Sequence, residues 1–99
     1  MDIDVSKLST QSRTPVNRLF VIVYLSSSPE KPSFKGFVKS ISSFDVKGPF
    51  DVLPQHENFV TQFGRELKLV TEEGEKVSYP VKDGVLEVAN NIARAFLAK

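Results

Sequence analysis

Turn-forming residues interrupt this chain at intervals close to ten residues, and that spacing constrains its fold more than any other feature. Gly64, Gly74 and Gly84 recur in step, the pair Asn90-Asn91 follows, and Pro32, Gly48-Pro49 and Pro54 divide the upstream half. The intervening segments are β-branched and aromatic, or alternate polar with apolar residues. Short strands spaced about 8–12 residues apart indicate a sandwich or a closed barrel. A parallel α/β sheet needs long crossover helices, and no helical stretch of that length lies between these segments.

Leu19 to Leu25 is continuously apolar and reads as a central strand or one buried on both faces. Ser26 to Pro32 is a loop by composition. Val38 leads into a strand carrying Ile41 and Phe44, Lys47-Gly48-Pro49 turns the chain, and Phe50 to Leu53 is a short strand stopped by Pro54. Phe59–Phe63 and Glu66–Val70 lie on either side of Gly64, and Glu72-Glu73-Gly74-Glu75 is a hairpin turn with Gly74 suited to positive φ. Val77 to Val81 returns, and Pro80 places that strand at an edge or a bulge. Lys82-Asp83-Gly84 reads as another turn before Val85–Val88, and Asn90-Asn91 tolerates left-handed geometry. Ile92 to Ala98 suits a helix by propensity and a strand by position. The residues predict about nine strands in a single domain, 18–99, behind a polar segment, 1–17, that reads as a mobile tail.

Composition removes several function classes. Thirteen Lys and Arg against twelve Asp and Glu leave a net charge of +1, and the cations are dispersed, so no nucleic-acid footprint exists. There is no Cys, which excludes disulfides and thiolate metal sites. The Leu19–Leu25 run is far shorter than the roughly 20 residues of a spanning helix, so no direct membrane insertion is expected.

Catalytic chemistry finds no support either. His56 is the only histidine, and no nucleophile accompanies it; a loop residue that packs or hydrogen-bonds is the expectation. Glu72, Glu73 and Glu75 form too short a turn for a calcium loop. The glycines are isolated, so no phosphate-cradling loop occurs. No catalytic residue, metal site or cofactor is expected.

Two stretches carry a resemblance. Gly48-Pro49-Phe50-Asp51-Val52-Leu53-Pro54-Gln55-His56-Glu57-Asn58-Phe59-Val60-Thr61 resembles the signature of the epsilon subunit of the F-type ATP synthase. Some thirty residues on, the hairpin Tyr79 to Asn91, with Gly84-Val85-Leu86-Glu87-Val88-Ala89-Asn90-Asn91, is similar to a second motif of that family. The resemblance implies an all-β, two-sheet sandwich of roughly ten strands, with Ile92–Leu97 as the closing strand. It also implies a non-catalytic rotor subunit of the central stalk, with the gamma subunit and the membrane ring as partners. Its place would be the cytoplasm, or the cytoplasmic surface of an energy-transducing membrane. By the same likeness Gly48, Pro49, Asp51, Gln55, His56 and Glu57 form a partner-contact loop, and Phe50, Val52, Leu53, Leu67, Leu86 and Val88 belong to the core.

This chain departs from the family pattern at three places: Pro49 replaces an acidic residue, Asp51 a glycine, and Glu57-Asn58 an Ala-Pro pair. The family's C-terminal helical hairpin has no counterpart before Lys99, so neither ATP binding nor inhibition of hydrolysis is expected. An alternative function is an epsilon-like sandwich reused as a protein-interaction adaptor outside the ATP synthase. Under either reading Leu86 faces inward. Leu86→Asp is expected to cost several kcal/mol through a buried unpaired carboxylate and to abolish the cooperative thermal transition; an unchanged Tm would contradict the strand's assigned facing.

Overall fold

The computed structural model describes residues 17–98. The expected tail, 1–17, lies outside the described residues except for Asn17. Six strands and no helix occur among the described residues: β1 (Leu19–Leu25), β2 (Pro32–Asp45), β3 (Gly48–Val52), β4 (Phe59–Thr71), β5 (Lys76–Ala89) and β6 (Ile92–Ala98).

The strands form one hydrogen-bonded sheet in the order β1-β6-β5-β4-β2-β3, and an additional β1–β2 pairing closes it on itself. The first and last strands, β1 and β6, run parallel; every other pair is antiparallel. β3 stands outside the closed ring, paired only with the second half of β2.

The expected ten short strands in two sheets are therefore corrected to six strands in a single sheet. The cause is that several breaks in the sequence pattern are bulges within long strands and not reversals. Phe63 opposes Gly84 and Arg65 opposes Val81, so Lys82 and Asp83 bulge against Gly64 and the ladder then resumes. The segment Lys82-Asp83-Gly84, expected as a turn, is thus the middle of β5. The bend places Arg65 at φ 70°, a left-handed conformation that costs about 1–3 kcal/mol for a residue with a Cβ. β2 bends likewise, with register shifts between Val38 and Ser40 and between Ser42 and Phe44. At the second shift buried Ser43 lacks a ladder partner in β4, and its Oγ donates to the Glu66 carbonyl at 2.7 Å instead.

The true reversals are tight. Gly74 takes φ 91° in the β4–β5 turn, where its N–H donates to the Thr71 carbonyl at 2.9 Å. Asn90 and Asn91 both have positive φ in the two-residue connection between Ala89 and Ile92, the geometry that suits the twist of a hairpin. That turn settles the ambiguity of the last segment in favour of a strand. Pro80 lies where β5 pairs with β4 alone, β6 joining only from Asp83 onward, so its missing N–H breaks no ladder.

Alternation fills the interior. Leu19, Val21 and Val23 of β1 point inward and are fully buried, as are Ile41, Val52, Leu67, Leu69 and Leu86. Ala93 and Ala95 of β6 are fully buried small residues that leave room for the larger side chains. Of the residues expected in the core, Val52, Leu67, Leu86 and Val88 are buried and Phe50 packs partly against them. Leu53 is corrected: it is 54% exposed. Leu53 lies one residue beyond β3, where the chain leaves the sheet, and with Val52 turned inward it points out.

Gly84 marks the closest approach in the interior. A Cβ there would lie 2.7 Å from Cζ of Phe63 and 2.7 Å from the backbone oxygen of Phe96, so the Phe63 ring occupies the space a side chain would take. Gly84→Ala is expected to destabilise the domain by about 1–3 kcal/mol through overpacking, lowering the urea midpoint at an unchanged slope. Wild-type stability of this variant would show that Phe63 does not depend on the glycine.

Candidate docking surfaces

The contact residues expected from the sequence do not lie on one loop. Gly48, Pro49 and Asp51 are on β3, whereas Gln55, His56 and Glu57 lie in the turn after it. Gly48, at φ 118°, closes the two-residue turn Val46-Lys47, and Pro49 is exposed opposite Phe44 on the edge strand. The carboxylate of Asp51 accepts a 2.6 Å hydrogen bond from the Ser42 hydroxyl on β2, which holds it flat against its neighbour strand.

The turn 53–58 is fastened to the β5–β6 hairpin. Gln55, at φ 71°, donates its N–H to Oδ1 of buried Asn91 at 2.6 Å, and the Asn90 N–H donates to Oδ1 of Asn58 at 3.0 Å. The carbonyl of Asn91 accepts from the Phe20 N–H at 2.9 Å, so one residue ties this turn to the start of β1. His56 places its ring 4.8 Å from that of Phe59 and donates from Nδ1 to the Glu57 carbonyl at 2.9 Å. Its neighbours are a backbone oxygen and an aromatic ring, an arrangement for packing and not for proton transfer. Among the described residues no cluster of His, Asp and Glu could hold a metal ion. Together, exposed Leu53, His56 and the Asn90 tip make one end of the barrel a rigid, mixed-polarity rim.

The outer surface of the barrel is divided by polarity. Around β3, the second half of β2 and the second half of β4, outward positions are Ser40, Ser42, Asp51, Glu66 and Lys68, many of them tied to each other; Ser78 donates to Glu66 as Ser42 does to Asp51. Around β1, β6 and the second half of β5 the outward positions are mostly apolar, with Glu87 and Arg94 the charged exceptions. In register across four strands lie Gln62, Val85, Phe96 and Tyr24, and the last two rings stack at 5.3 Å. Four residues along, Phe20 meets Phe37 edge to face at 5.0 Å beside Ile92. Phe96 is 45% exposed and Val60, on the flanking strand, 67%. A shallow groove of about 240 Å³ runs between Tyr24, Pro29, Val85 and Phe96.

Sequence reasoning did not single out this face. Its signal was the unbroken apolar run of β1: the alternate residues Phe20, Ile22 and Tyr24 are half-buried side chains on an outer surface, where a solvated strand would carry polar ones.

One corner of the apolar face carries a charge clamp. The Arg18 guanidinium donates from Nε and a terminal nitrogen to the two carboxylate oxygens of Glu72, at 3.0 and 2.8 Å, while lying 3.7 Å over the Phe37 ring. The Arg18 hydrogen bond holds the Glu72 carboxyl below its ordinary range and raises the guanidinium in turn. Glu72, expected as part of a hairpin turn, also joins the entry of β1 to the β4–β5 turn.

Comparison with known proteins then supplies a context. The sequence profile of the family described as ATP synthase, Delta/Epsilon chain, beta-sandwich domain matches residues 26–95. No curated protein sequence matches the chain. Among solved structures, a chain of the Euglena gracilis mitochondrial ATP synthase (OSCP/F1/c-ring, rotational state 1) superposes with a TM-score of 0.72 at 19% identity, over 87% of this chain and 54% of that one. A chain of the Tetrahymena thermophila mitochondrial ATP synthase central stalk and c-ring superposes with a TM-score of 0.66 at 9% identity, over 89% of this chain and 67% of that one. This chain thus spans about half the length of the Euglena chain it matches, and at these identities the likeness is one of fold.

Because its folded pKa is depressed, the Glu72 carboxylate contributes stability above its unfolded pKa, and that contribution fades as the pH falls through the folded value. In Arg18→Ala the Glu72 pKa, followed by NMR titration of its side-chain carbonyl, is expected to rise toward the ordinary glutamate value. An unchanged titration would show that the clamp does not persist in solution.

Proposed function

Because the chain belongs to the delta/epsilon β-sandwich family of the ATP synthase, we propose that it acts as a non-catalytic element of that enzyme's central stalk, transmitting rotation between the catalytic head and the membrane ring. The single observation that carries this reading is the polarity divide of the barrel. One outer face is closed by hydrogen bonds between its own side chains, while the opposite one presents Phe96, Val85 and Val60 to solvent in a protein otherwise balanced in charge. A large apolar side-chain face on a small domain suits a permanent partner, and the gamma subunit of the stalk is the partner that the family supplies.

The rim formed by Leu53, His56 and the Asn90 tip is the second contact in this reading, set against the polar loops of the membrane ring. Its turn is fixed by the Asn91 and Asn58 hydrogen bonds, so it passes on torque without folding away. Pro49 and Asp51 play no part at that rim, since they lie back along β3 and Asp51 is held by Ser42. In this reading the chain works at the membrane surface; no helix of the described residues is long and apolar enough to cross a bilayer.

The reading is tested by recovering the tagged chain from energy-transducing membranes of its own source. ATP synthase stalk subunits are expected to co-purify, Phe96→Glu to lower their recovery about tenfold or more, and Ser42→Glu to leave it unchanged. Recovery of a different protein, with no ATP synthase subunit, would replace the stalk reading with that of an adaptor built on the same sandwich.

A further inference from the structure

On the apolar face the central row carries two opposite charges side by side, and their arrangement matches a second copy of itself. Glu87 of β5 and Arg94 of β6 are cross-strand neighbours, flanked by Val60 on one side and Ile22 on the other. Both project outward, because Leu86, Val88, Ala93 and Ala95 point into the core. Neither makes a hydrogen bond or an ion pair among the described residues. Set in an apolar field and free of close hydrogen bonds within the fold, this acidic–basic pair is available to meet a surface that presents the same two charges in reverse order.

We propose that the free chain forms a twofold dimer through this face, with the axis parallel to the strands and lying between β5 and β6. That operation sets β5 of one copy over β6 of the other. Arg94 then meets Glu87 of the second copy twice, Phe96 meets Val85, and Ile22 covers Val60, the most exposed apolar side chain of the face. Two-fold symmetry demands a self-complementary surface, and the order Val60, Glu87, Arg94, Ile22 along the row is apolar, acidic, basic, apolar. The charges also select this axis over its rivals. A twofold perpendicular to the strands sets Glu87 on Glu87 and Arg94 on Arg94. A shift of the axis by one strand sets Arg94 over apolar Ile22, leaving its charge unpaired. The dimer would cover, in the absence of the stalk, the surface that otherwise exposes Phe96 and Val60. It rests on the reading of this face as a docking surface but not on the identity of the stalk partner, so failure of the dimer and failure of the stalk reading are separate results.

Analytical ultracentrifugation of the full chain over a concentration series tests the proposal. The wild type is expected to show a reversible monomer–dimer equilibrium. Arg94→Glu and Glu87→Arg, each setting like charges opposite one another, are expected to weaken it about 100-fold. Mixing the two single variants is expected to produce a heterodimer tighter than either homodimer, and the double variant Glu87→Arg/Arg94→Glu to return to within about tenfold of the wild type. Far-UV circular dichroism and thermal melting establish that each variant is folded. A wild type that stays monomeric throughout the series overturns the proposal. So does a dimer indifferent to the single reversals, or a double variant that fails to recover.

Discussion

The bend where Gly64 faces the Lys82-Asp83 bulge holds this structure together. Strands of thirteen and fourteen residues, as β4 and β5 are, would span more than 40 Å if they ran straight, at about 3.3 Å per residue. Such a hairpin could bury little of its apolar side. Bending at Arg65 and Gly84 folds the pair over on itself, so Phe59–Phe63 and Arg65–Val70 line different walls of one interior. Phe63 lies directly on the bare Gly84 backbone, filling the corner that the bend creates. Only because the strands turn the corner can β2 reach β1 and the sheet close without a free central edge.

How much of this was legible in the chain depended on whether the deciding interaction was local. β1 was read at its observed limits, Leu19 to Leu25, since a turn-rich loop and a polar stretch bound it. Gly74 and Asn90-Asn91 announced their reversals through backbone conformations few other residues adopt. Pro80 announced a stretch of strand paired on one side only. Gly84 misled because glycine serves two purposes: here it has no positive φ and exists for close approach, which only the distant Phe63 and Phe96 reveal. The parallel pairing of β1 with β6 had no local sign at all, being a contact between the two ends of the domain.

The docking surfaces followed the same rule. The resemblance directed attention to Gly48 through Glu57, yet β3 carries half of those residues away from the rim and Ser42 occupies Asp51. The apolar face was written into β1, β5 and β6 separately, as outward residues that are not polar. It becomes visible as a surface only when register aligns Val85, Phe96 and Tyr24. The stalk role proposed above would give that face a partner.

Site-directed photocrosslinking tests the account most directly. A benzophenone side chain is placed at Phe96 on the apolar face, or at Ser42 on the hydrogen-bonded one, in the assembled complex of the source membranes. The account predicts a crosslink from position 96 to a stalk subunit and none from position 42. Crosslinks from position 42 alone would contradict it, because the face that satisfies its own polar groups would then be the one that docks.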